Sequence, residues 1–143
     1  MIRTVVPTVL TVVLTAIGLL HFVWAFSPWP LKDATTFTKT IGGSDDGAMP
    51  SVASTVVVGL LLICGAALTL MVNGSIPAVG PDWLRLVGMY GLAGVLLTRG
   101  LGGYLLNSGA AEEFRQWNSV LYSPLCVALA ALAGTVAVAA SRR

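Results

Sequence analysis

The chain has 143 residues, 56% of them hydrophobic and only 10% charged, with a formal net charge of +2. A soluble domain carries roughly 25% charged residues, so a surface this apolar is unfit for water. The small net charge, with no basic cluster beyond Arg142-Arg143, excludes nucleic acid as a partner, and that pair reads as an anchor to phosphate head groups.

Four apolar runs, 5–26, 52–72, 83–106 and 120–140, occupy most of the sequence. Each is long enough to cross a bilayer, which takes about 20 residues to cover about 30 Å of hydrocarbon. They predict an all-α fold: a four-transmembrane-helix bundle with short loops and one longer outer loop, 27–50, forming a single integral membrane domain over residues 1–143.

The first run follows Met1-Ile2-Arg3, a positive start of the kind signal peptides have. Its apolar stretch from Val5 to Leu20 exceeds the roughly 7–15 residues of a signal core, and Trp24 suits a cleavage site poorly. It is expected as a retained helix. Ser27-Pro28-Trp29-Pro30 should end it, because proline cannot continue the hydrogen-bond ladder. Thr35–Thr40 reads as a short interfacial turn and Gly42-Gly43-Ser44-Asp45-Asp46-Gly47 as a mobile loop.

Pro50-Ser51 opens the second helix, with Ser51 a candidate cap. Asn73-Gly74-Ser75 ends it, and Asp82 is a candidate cap for the third. In the connection 107–118, Glu112-Glu113-Phe114-Arg115-Gln116-Trp117 suggests a short helix lying at the surface. Cys64 and Cys126 fall inside apolar runs at different depths, so they read as two small buried thiols and no disulfide is expected.

Lys and Arg near helix ends place Arg3, Arg85, Arg142 and Arg143 on one side and Lys32, Lys39 and Arg115 on the other. The positive-inside rule then sets both termini in the cytoplasm of a multi-pass plasma-membrane protein. Helices in lipid associate where small residues let backbones approach. That predicts contact stripes at Thr11, Thr15, Gly18, Phe22 and Ala25, at Gly88, Val95, Gly102 and Gly103 beside Arg99, and at Ala130 and Gly134.

Arg99 is the strongest functional pointer, because a cation at depth costs at least about 2.5–3.5 kcal/mol and faces a partner or water. Its partner could be Glu112 or Glu113, a helix-end carbonyl, the interface reached by snorkelling, or a ligand. His21, the single histidine, falls at a similar depth and could carry a proton or bond a ligand. With no carboxylate inside any helix, no metal site is expected, and no cofactor motif is legible. His21, Trp24, Arg99, Glu113, Asn118, Tyr122 and Ser123 would surround one outward-facing polar pocket. Aromatic belting explains Trp24, Trp29, Tyr104, Trp117 and Tyr122 at that boundary equally well.

His21-Phe22-Val23-Trp24-Ala25, Arg99-Gly100-Leu101-Gly102, Phe114, Asn118 and Tyr122-Ser123-Pro124-Leu125-Cys126 resemble a bacterial membrane family known as domain of unknown function 3995. The resemblance spans nearly the whole chain and implies four transmembrane helices, with no established activity, substrate or cofactor. Three readings of function stay open. The leading one is a binder or transporter of a small polar or amphipathic molecule or lipid, expected as a homodimer if it transports. An accessory or structural subunit of a larger membrane complex comes next. A membrane enzyme using His21 as acid or base comes last, so no residue is named as catalytic.

Overall fold

A computed structural model describes residues 2–143, all helix and loop with no strand among the described residues. α1 spans Ile2–Trp24, α2 Ala34–Phe37, α3 Val52–Asn73, α4 Asp82–Leu105, α5 Glu112–Trp117 and α6 Ser123–Ser141. Four helices are long and apolar enough to cross a membrane: α1, α3, α4, and the run of 30 residues that joins α5 to α6.

The helix ends follow local chemistry. Ser51 Oγ accepts the Ser54 amide at 3.1 Å and so caps α3, satisfying an amide that has no partner within the helix. Gly74, at φ +81°, stops the same helix and lets the Ser75 amide reach back to the Leu70 carbonyl. Asp82 does not cap α4. Pro81 holds the extended capping position, and Asp82 instead pairs with Arg85 inside the first turn, where a carboxylate suits the helix dipole.

α1 stops two residues earlier than its apolar run, because the Phe26 and Ser27 amides both turn back to the Val23 carbonyl ahead of Pro28. The segment Gly42–Gly47 closes on itself. Gly43 takes φ +84°, while the Ser44 hydroxyl and the Ala48 amide both donate to Asp46 Oδ1. Those two donors hold the Asp46 carboxyl below its ordinary value.

The largest departure from expectation is at α5. The expected short helix over 112–117 is present with none of its residues buried, but it is not separate and runs without a break into α6. Pro124 lacks an amide and should break such a helix. A π-type turn over Asn118–Tyr122 widens the ladder just before it, the Ser123 amide bonding the Asn118 carbonyl five residues back. The helix therefore continues through the proline.

α1 packs along α3 and α4 along α6, and the pairs join through α1–α6, α3–α4 and α3–α6; α1 and α4 are diagonal, with no close backbone approach. The core is Leu10 and Leu14 of α1, Ala66 of α3, Met89 and Leu96 of α4, and Leu129, Ala130, Ala133, Val136 and Ala137 of α6. Backbone approach replaces bulk at two crossings. A Cβ on Gly18 would stand 3.1 Å from the Gly59 carbonyl oxygen, and one on Gly100 would stand 3.0 Å from the Val127 amide nitrogen.

The α1 stripe holds at Gly18 and Ala25, both buried. The α4 stripe holds in part: Gly88 meets Leu68 of α3 and Gly103 meets Ser123, while Val95 is 69% exposed, Gly102 faces open space and the buried line runs through Met89, Leu96 and Gly100. At about 100° per residue, Arg99 stands on the flank of that line and not on it. Gly134 also turns away from the bundle, with open space where a Cβ would be. Cys64 is exposed on the outer side of α3 and Cys126 is half-buried; both are free thiols.

Candidate functional site

The polar residues of the sequence reading separate into distinct groups. At the centre of one stands Asn118, fully buried in the π-type turn. Its Oδ1 accepts Arg99 Nη1 at 3.2 Å and Ser123 Oγ at 3.2 Å, and its Nδ2 donates to the Gly103 carbonyl at 2.7 Å. The widened turn brings Asn118 and Ser123, five residues apart, onto one side. The Gly103 carbonyl belongs to the last turn of α4, where helix geometry supplies no amide, and the Asn118 side chain fills that vacancy.

Gly103 makes the node possible. A Cβ there would fall 2.2 Å from Ser123 Oγ and 2.7 Å from Arg99 Nη1. Only hydrogen fits between α4 and the start of α6 at this level. Two further bonds knit the same helix ends: Tyr104 Oη donates to the Ser119 carbonyl at 3.1 Å and Asn107 Nδ2 to the Arg115 carbonyl at 3.3 Å.

Arg99 is therefore anchored by a neutral amide and by no carboxylate. The ion pairs among the described residues are Lys39–Asp45 and Arg85–Asp82. Glu112 and Glu113 are both exposed on α5 and bond nothing in the node. Glu113 accordingly leaves the predicted constellation, because the first turn of α5 directs it outward.

Arg99 itself is exposed, and it borders an open groove of ≈ 290 Å³ between the last turns of α4 and the start of α5. Thr98, Gly102, Gly103, Leu106, Asn107 and Phe114 complete the lining. Gly102 leaves open space on its groove side, with nothing within 4 Å of a would-be Cβ. Asn107 Oδ1 is buried without a hydrogen-bond donor.

His21 and Trp24 form a second group on α1, the helix diagonal to α4. The His21 Nδ1–H donates to the Ile17 carbonyl at 2.8 Å, which assigns the proton to Nδ1 because a carbonyl only accepts. Its ring packs on Trp24 at 5.0 Å, and Trp24 packs on Phe37 at 5.5 Å. Trp24 Nε1 donates to the Trp29 carbonyl at 3.0 Å, tying α1 to the loop that follows it.

Tyr122 links the outer loops. Its hydroxyl donates to the Thr40 carbonyl at 3.1 Å, and its ring lies 5.9 Å from that of Phe114. The Ala111 amide donates to the Gly43 carbonyl at 3.1 Å nearby. The two connections thus form one cap over this end of the bundle.

Of the seven predicted residues, then, the fold gathers Arg99, Asn118 and Ser123, places Tyr122 beside them as a strap, and sets His21, Trp24 and Glu113 apart. The groove residues Thr98, Gly102, Leu106, Asn107 and Phe114 were missed as site residues. Asn107, a lone polar residue just past an apolar run, was the available signal. No group of three His, Cys, Asp or Glu residues that could hold a metal ion exists among the described residues.

No curated protein and no solved structure matches the chain. The family described as protein of unknown function (DUF3995) matches residues 14–133, a span that holds the node, the groove and the cap. The chain belongs to that family.

Proposed function

We propose that the chain is a multi-pass protein of a bacterial plasma membrane, both termini cytoplasmic, that binds a small polar or amphipathic molecule in an outward-facing groove. The molecule carries a negative group, which Arg99 counters. One observation carries this reading. A guanidinium within the apolar stretch that follows Arg85 in α4 uses one of its five donors on a neutral amide and borders an open groove. A cation placed at depth recovers its desolvation cost from an anion far better than from an amide.

His21 lies on α1, the helix diagonal to α4, and does not line the groove, so it takes no part in this binding. Native mass spectrometry of protein purified in mild detergent tests the reading. An anionic adduct should copurify, disappear in Arg99→Gln and persist in His21→Ala. Identical spectra for wild type and Arg99→Gln would overturn it.

A second reading, an accessory subunit docked on a larger assembly, is favoured by outward glycines. Gly91 and Gly94 of α4 and Gly134 of α6 each have open space where a Cβ would stand, the close-approach surface helices use in lipid. A stable complex recovered with wild type and lost in Gly94→Leu would support it.

A further inference from the structure

We infer that the ligand of the Arg99 groove is the phosphodiester head group of an outer-leaflet lipid, one that also carries hydroxyl or ammonium donors. This inference rests on the groove being a binding site. Four features narrow the ligand class. Arg99 stands six residues before the end of α4, about 9 Å along the helix axis, which lets its long side chain reach toward the head groups. A guanidinium presents paired donors that match phosphate oxygens.

The wall beside it is apolar and open to the side. Leu105 and Leu106 are 80% and 84% exposed, and Gly102 has open space above it. A molecule with acyl chains can therefore leave those chains in the bilayer while its head group sits against Arg99. The groove is also lined by Asn107, whose Oδ1 is buried and finds no donor within the protein. A buried polar atom left unpaired costs about 1–3 kcal/mol. A hydroxyl or ammonium on the head group supplies what that atom lacks.

A soluble anion such as inorganic phosphate shares the charge but gains nothing from the lateral opening. Phosphatidylcholine shares the phosphate but has no donor to offer.

The test is native mass spectrometry of the full chain from nanodiscs of mixed phosphatidylglycerol and phosphatidylcholine, repeated in detergent with added inorganic phosphate. Wild type should retain phosphatidylglycerol at least fivefold over phosphatidylcholine (about 1 kcal/mol), and millimolar phosphate should not displace it. Arg99→Gln should abolish the preference, while Arg142→Gln at the opposite end should keep it. Because Arg99→Gln also loosens the node, Gly102→Leu is the sharper variant. It fills the groove, meets no protein atom within 4 Å at its Cβ, and leaves the bond to Asn118 in place. It should abolish retention with thermal stability unchanged.

Equal retention of both lipids, or retention that survives Gly102→Leu, overturns the inference. Binding of phosphate alone, lost in Arg99→Gln, also overturns it while leaving the anion-binding groove standing. No Arg99-dependent binding of either kind overturns both.

Discussion

Replacing Asn118 with alanine removes three hydrogen bonds at once. The Gly103 carbonyl loses its donor, the Ser123 hydroxyl loses its acceptor, and Arg99 loses the partner that holds its guanidinium. Interhelical hydrogen bonds in membrane proteins average about 0.6 kcal/mol each and reach about 1.7. A bond to a charged group is worth about 1.5–3 kcal/mol on the soluble scale. Asn118 is fully buried, so no solvent replaces what is lost. Taken together, Asn118→Ala should destabilise the bundle by about 2–4 kcal/mol. Reversible unfolding in mixed micelles measures that directly. A cycle with Arg99→Gln, Asn118→Ala and the double variant isolates the Arg99 bond, expected at about 1–2 kcal/mol of coupling. A loss below about 0.5 kcal/mol, or additive single variants, would refute the view that Asn118 organises this end of the molecule.

The two kinds of glycine on α4 should respond oppositely. Gly100→Ala drives a Cβ to 3.0 Å from a backbone nitrogen and 3.1 Å from the Ser123 carbonyl, so Tm in detergent should fall. Gly94→Ala meets nothing within 4 Å and should be neutral or slightly stabilising, helix propensity favouring alanine by roughly 0.5–1 kcal/mol. Tyr122→Phe deletes the strap to Thr40 and should cost about 0.5–1.5 kcal/mol, read as faster amide exchange over residues 38–43 with α6 unaffected. Asp33 accepts the Thr36 amide at 2.8 Å to cap α2, and that bond holds its carboxyl below the ordinary value of 3.8. A lowered carboxylate stabilises the fold above its unfolded value and loses that contribution as pH falls through the lowered one. Protection of the Thr36 amide, taken relative to its intrinsic exchange rate at each pH, should therefore fall below about pH 4 in wild type and show no such step in Asp33→Asn.

The four spans were legible because bilayer crossing is written in length and composition, and the ends at Ser51 and Gly74 because capping is local. The merger of α5 with the fourth span was not. Glu112 through Trp117 reads as interfacial on composition, and only the widened turn at Asn118–Tyr122 lets the helix pass Pro124. Arg99, Asn118 and Ser123 stood out as polar residues at one depth, and depth can be counted along a chain. Which helices touch cannot be counted that way. His21 lies at the same depth as Arg99 but on the diagonal helix, so the single pocket of the sequence reading became separate groups. The partly displaced seam of α4 has a similar origin. Gly88, Val95 and Gly102 share a face with one another, and of these only Gly88 meets a neighbour, Leu68 of α3, while Gly100 and Gly103 meet Val127 and Ser123 of α6 where the backbones come close.

The proposed binding requires the Arg99 guanidinium, held by one amide, to face an anion near the membrane boundary. Solid-state NMR of the chain in phosphatidylglycerol bilayers, with arginine labelled at Cζ, measures it directly through dipolar contact with lipid phosphorus. Six arginines contribute, so the Arg99 signal is the part lost in Arg99→Gln. That part should show a phosphorus contact at about 4–5 Å, as expected for a hydrogen-bonded guanidinium and phosphate, and lose it in Gly102→Leu. An Arg99 signal indifferent to phosphorus would contradict it.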